Sequence, residues 1–182
     1  MTLCNFVASR LWFRQFGNRP EIDDILYEYR KFGILKESKK LKFLESIFKK
    51  LCVLFKVDRA FIDFQIKKYS VYGVGALGSF CPNSLQGCKI VIYYSDNFLL
   101  ETYISAMLHE LAHYFTYLHD IEFYEYDEEC TDILLIYMGY GDIIRKGHEH
   151  FVFRSDRILC GSKILEAGYL SVEEIEFCMS IF

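Results

Sequence analysis

Apolar residues recur at steps of three and four in two long stretches of the chain, with a shorter stretch of alternation and short apolar runs between them. From Glu21 to about Phe55, Ile22, Ile25, Leu26 and Tyr29, then Leu41, Phe43, Leu44, Ile47, Phe48 and Leu51 keep helical spacing, which predicts two helices parted near Gly33. Residues Ala60 to Lys67 alternate weakly, and Lys89 to Tyr94 is a short run rich in β-branched residues; both predict strands. Between them Gly73, Gly75, Gly78, Pro82, Asn83 and Gly87 are turn formers, expected to make a hairpin or meander feeding the second strand. Ser95-Asp96-Asn97 offers helix-capping chemistry, and Ile104, Leu108, Leu111, Ala112, Phe115 and Leu118 form a stripe along the helix that follows. A nearly uniform apolar helix is predicted from about Asp127 to Met138, stopping at Gly139-Tyr140-Gly141. Ser171 and Glu174 match a capping box that opens a last helix towards Phe182. Helices, then strands, then helices make an α+β chain.

At 182 residues this is expected to be one domain, 1–182, with a helical part over 1–56 and the sheet and later helices over 57–182. Hydrophobic residues make up 52% of the chain, enough for a packed core, so a disordered protein is excluded. The net charge of −4 has the wrong sign for gripping a phosphate backbone over the whole surface, and no direct nucleic-acid partner is expected. Lys36, Lys39, Lys40, Lys42, Lys49 and Lys50 read as the solvated face of a helix. Seven cysteines at 4, 52, 81, 88, 130, 160 and 178, an odd number without CxxC pairing, fit reduced thiols in a cytoplasmic protein. No apolar run reaches the roughly 20 residues of a bilayer span, and Arg10, Arg14 and Arg19 break the first apolar stretch as a secretory signal.

The residues richest in chemistry are His109-Glu110-Leu111-Ala112-His113, an HExxH sequence on a stretch that periodicity alone makes helical. One turn apart, His109 and His113 project from one face at the separation that a single Zn²⁺ needs. Glu110, roughly 100° round the helix, is not a ligand but can act as a general base toward water. Two candidates stand for the third ligand. Glu128 and Asp132 share a face of the next helix; Glu128 would bind zinc while Asp132 hydrogen-bonds a ligand histidine and sets its tautomer. Asp132 precedes Ile133-Leu134-Leu135-Ile136, and a carboxylate there is costly unless it has a partner. His119 is the other candidate, ten residues after His109 as in HExxHxxGxxH, although Thr116 stands where that pattern has glycine. Glu129, Glu125 and Asp132 are further possibilities.

The combination of His109-Glu110-x-x-His113 with Glu128-x-x-Thr131-Asp132 resembles a gluzincin-type zinc metallopeptidase. In size and in the second-helix signature the chain is similar to the ImmA/IrrE-type peptidases of bacteria and phages, over roughly residues 89–140. It departs from them in a short spacer between His113 and Glu128 and in Thr131, where alanine is usual. The resemblance implies a zincin-like core: a small twisted, mostly antiparallel sheet, an active-site helix with both histidines and a glutamate helix behind it, here with extra N-terminal helices. It also implies one Zn²⁺ per chain and cleavage of a dedicated protein partner, such as a transcriptional repressor in a stress, mobile-element or phage-defence operon. By the same analogy the strand at 89–94 lines the cleft, and its edge could take a substrate segment as an added strand.

Tyr137, Tyr140, His148 and His150 are the candidate donors to a developing oxyanion, the two histidines being expected in a loop past Gly147. Cys81, expected in a turn near the cleft, could close the fourth zinc position and hold the enzyme latent. Two other readings remain open: a noncatalytic zinc-binding module that recognises a partner, and a zinc hydrolase with a non-peptide substrate.

Overall fold

The computed structural model describes residues 19–28, 31–68, 77–83, 87–95, 98–123, 127–149 and 168–182. Two helices, α1 (Arg19–Glu28) and α2 (Glu37–Leu54), come first, separated by a 3₁₀ turn at Phe32–Ile34 that contains Gly33. Leu44, Ile47, Phe48 and Leu51 make the buried stripe of α2, each fully shielded from water. Shielding each such side chain is worth about 1.5–3 kcal/mol, so this stripe anchors α2 to the rest of the chain.

Three strands follow: β1 (Ile62–Lys68), β2 (Gly78–Pro82) and β3 (Cys88–Tyr94). They form one sheet in the order β1-β3-β2, with β3 parallel to β1 and antiparallel to β2. The sheet is therefore mixed, and the expectation of a mostly antiparallel one is corrected. β2 and β3, next to each other in sequence, pair antiparallel, whereas β1 pairs directly and in parallel with β3 although β2 lies between them in sequence. One further expectation changes with this order: the strand expected to offer an edge to substrate, β3, has none free. The expected hairpin into β3 is present with β2 as its first strand, and because β3 is paired on both sides the edges of the sheet are β1 and β2. Pro82, the last residue of β2, is tolerable because an edge strand can lack an N–H at its end. On β3, Cys88, Ile90, Ile92 and Tyr94 are buried, and the Phe64 ring of β1 stacks on Phe48 at 3.8 Å.

Helix α3 (Leu100–Leu118) crosses the sheet and is buried along most of its length, more than its stripe predicts. Its N-cap is Leu99, which makes no side-chain capping bond; Asp96 and Asn97 lie outside the described residues. Helix α4 (Asp127–Leu135) passes into a π-helical turn at Ile136–Tyr140, where Gly139 takes φ 94°, a conformation that glycine adopts without penalty. The chain then re-enters helix as α5 (Gly141–Glu149), where a loop past Gly147 was expected. Gly147 lies within α5, which packs hard against α3: a Cβ there would sit 2.6 Å from that of Ser105, so the position needs glycine. Helix α6 (Val172–Ile181) opens with the capping box of Ser171 and Glu174. One apolar core runs from Ile25 of α1 to Ile175 of α6. Among the described residues no helix is long and apolar enough to cross a membrane, and Cys52, Cys81, Cys88, Cys130 and Cys178 are free thiols.

Candidate metal centre

Helical periodicity carries His109 and His113 to one face of α3, opposite the first turn of α4, which supplies Glu128. His109 Nε2 lies 2.8 Å from Glu128 Oε2, His113 Nε2 lies 3.1 Å from the same oxygen, and the two Nε2 atoms are 3.1 Å apart. These three atoms form a group that could hold a metal ion. One turn further along α4, Asp132 is almost fully buried, and its Oδ1 accepts the Nδ1–H of His109 at 2.8 Å. The other oxygen, Oδ2, accepts the backbone N–H of Tyr169 at 3.0 Å.

Those contacts fix the electrostatics. With its Nδ1 proton committed to Asp132, neutral His109 presents a lone pair at Nε2, facing a carboxylate oxygen and a second imidazole nitrogen. Three acceptors at such range repel unless a proton or a cation lies among them. Burial opposes the charged form of His109, but hydrogen bonds with Asp132 and Glu128 prevail and push its pKa up to about 10. Hydrogen bonds from both histidines hold the Glu128 carboxyl well below the usual range. A cation satisfies the same three atoms together. In a tetrahedral site with bonds near 2.0–2.1 Å, ligand atoms stand about 3.3 Å apart, so the observed triangle is within a few tenths of an ångström of one around zinc. Two nitrogens and one oxygen are a donor set that zinc accepts.

Glu110 sits beside this triangle and holds no ligand position. Burial raises its pKa to about 7, against the pull of His109 and His113. Its carboxyl rests on the backbone of β2: a Cβ on Gly78 would meet Glu110 Oε1 at 2.4 Å, so only glycine leaves room. Aromatic rings wall both imidazoles. Phe80 of β2 stacks on His113 at 5.9 Å, and Tyr169 stacks on His109 at 5.3 Å. Gly78, Phe80, Glu110, His113, Glu128 and Tyr169 line a cavity of about 340 Å³ at this point.

Other candidates lie elsewhere. His119 caps the C-terminus of α3, exposed, with its ring on Phe115. Cys81 is exposed on β2 rather than in a turn, one position past Phe80 and so on the alternate side, with its thiol directed to Pro82 O at 3.8 Å. Tyr137 packs edge-on against Phe182, and Tyr140 is buried against Phe55. His148 is buried on α5; a Cβ on Gly168 would lie 3.6 Å from both its Nδ1 and Asp132 Oδ2, so His148 lies near Asp132, and it is not among the described residues that line the cavity. Glu129 is half-buried on α4 and outside the three-ligand group, while Glu125 and His150 lie outside the described residues. Tyr169 and Gly78 were missed. Tyr169 is one of fourteen tyrosines and carries no distinguishing pattern, and Gly78 reads as a turn former.

No protein-family model, no curated protein and no solved structure matches the chain.

Proposed function

We propose that the protein is a zinc-dependent peptidase with a zincin-like core, of the kind its HExxH segment resembles, acting on a protein partner such as a repressor. The observation that carries this reading is the convergence of His109 Nε2, His113 Nε2 and Glu128 Oε2 within 3.1 Å of one another, with the Glu110 carboxyl alongside and outside the triangle. A purely structural zinc site has no use for a buried base at that position.

Zinc bound there would polarise a scissile carbonyl and lower the pKa of water to about 7. Glu110 takes the proton of the attacking water and returns it to the leaving amine. Asp132 holds His109 in the tautomer that leaves Nε2 free. The Tyr169 ring stacks on His109, and the pKa of its hydroxyl is pushed up to about 12, first by burial and then by the charges of Glu128 and Glu110. It stays protonated at neutral pH and can donate to an oxyanion formed next to the ligands. No described strand pairs with the outer edge of β2, so its N–H and C=O groups can hold an extended peptide across the cavity.

Metal analysis of the purified protein should find close to one zinc per chain. Glu110→Gln should keep that zinc and abolish cleavage of a protein or peptide substrate. A Gln variant that cleaves at the wild-type rate refutes the assignment of the base, and a wild-type protein that binds no zinc refutes the whole reading.

A further inference from the structure

The cavity at the ligands does not end at His113. It continues past Phe80, His113 and Asp127 into a second depression of about 580 Å³ beside the C-terminal end of α3. Phe80, Tyr117 and Ile121 wall this extension, and Asp120 and Glu122 stand at its rim. Tyr117 is pinned by its hydroxyl, which donates to Asn83 O at 3.1 Å, and its ring lies 6.1 Å from that of Phe80.

The charge is one-sided. Asp120 and Glu122 are exposed, and among the described residues neither has an ion-pair partner. From Ile90 to Ile144 the chain contains no lysine or arginine, and among the described residues none lines either cavity. A short apolar wall leading to unpaired carboxylates suits a side chain with an aliphatic stem and a cationic head. A plain apolar side chain would leave the carboxylates unused, and an acidic one would be repelled.

We propose, on the basis of the peptidase reading, that this extension receives a lysine or arginine of the substrate, with its stem across Phe80 and Tyr117 and its cation at Asp120 and Glu122. The cleavage site would then lie at a fixed short distance from a basic residue. Two exposed charge pairs together give a preference of roughly tenfold over an uncharged side chain of similar length.

The test is a lysine scan through a short neutral peptide, with norleucine at the same positions as the uncharged reference. Binding is read by fluorescence anisotropy with zinc-loaded Glu110→Gln, and cleavage with the zinc-loaded wild type. One position should favour lysine over norleucine by roughly tenfold in both readouts. That ratio should shrink in high salt and collapse in Asp120→Asn/Glu122→Gln. Equal binding of lysine and norleucine peptides at every position, or a lysine advantage that survives the double substitution, overturns the proposal and leaves the peptidase reading standing. Absence of cleavage with the lysine advantage intact in binding does the reverse: the basic-residue site stands and the peptidase reading fails.

Discussion

Asp132→Asn probes the ion seat without touching a ligand, because an amide replaces one acceptor oxygen by a donor at nearly constant volume. Both oxygens of Asp132 are acceptors, Oδ1 from His109 Nδ1 at 2.8 Å and Oδ2 from Tyr169 N at 3.0 Å. Asparagine can serve only one. If its oxygen stays on His109, its NH₂ confronts the N–H of Tyr169. If the amide turns over, it donates to Nδ1 and drives the imidazole proton to Nε2, where a metal needs the lone pair. Losing such a partner weakens metal affinity by roughly 10–100-fold. At about 1.4 kcal/mol per factor of ten this is ~1.4–2.8 kcal/mol, in line with the worth of a hydrogen bond to a charged group. Competition with a chelating dye measures the affinity directly. With zinc in fixed excess, its contribution to stability falls by the same amount. Each kcal/mol moves the melting temperature of a domain this size by roughly 2–4 °C, so the zinc-induced rise should shrink by roughly 3–11 °C. An Asn variant that binds zinc within twofold of wild type, with an undiminished rise, would falsify the view that Asp132 sets the tautomer of His109.

Gly78→Ala puts a methyl 2.4 Å from Glu110 Oε1 and must push that carboxyl aside by roughly 1 Å; kcat should fall by about 100-fold with zinc stoichiometry unchanged, and cleavage within twofold of wild type would sink the idea. Tyr169→Phe keeps the ring on His109 and removes the donor, so kcat should drop by roughly 100-fold while zinc affinity holds; an unaltered kcat removes Tyr169 from the chemistry. Melting of the metal-free protein should depend on pH with a definite sign. The folded-state pKa of His109, near 10, lies above its ordinary 6.5, so its stabilisation is complete below 6.5 and is lost as pH rises towards 10. Glu110, raised from 4.5 to about 7, acts in the same sense at lower pH. The metal-free melting temperature should thus fall from mildly acidic to alkaline pH, and calorimetry in buffers of different ionisation enthalpy should find proton release on zinc binding at neutral pH. A flat metal-free profile would contradict both.

The α3 helix and its HExxH were legible because two periodic signals coincide in one segment, and α4 because its acidic first turn precedes an apolar run. Asp132 could be singled out because a carboxylate ahead of four apolar residues demands a partner. The bounds of β2 were hidden, since Gly78 and Pro82 look like turn residues until Glu110 and the sheet edge explain them. Gly147 misled in the same way: close helix packing against Ser105, not a loop, requires it. The parallel pairing of β1 with β3 depends on which strands meet after the chain returns, and no local pattern records that. Tyr169 arrives from a distant segment through a backbone bond to Asp132, for which side-chain chemistry gives no cue.

Among the described residues, all those around the ion seat except Tyr169 come from one stretch of chain between Gly78 and Asp132, which includes the β2–β3 hairpin, α3 and the start of α4. An ion clamps that run to itself and adds nothing directly to α1, α2 or β1, which are held by the shared apolar core and, for β1, by its ladder with β3. Zinc therefore makes the two parts unequal. In the loaded chain the elements ahead of Gly78 should exchange their amide hydrogens sooner than the clamped run, a contrast that should narrow in the metal-free chain.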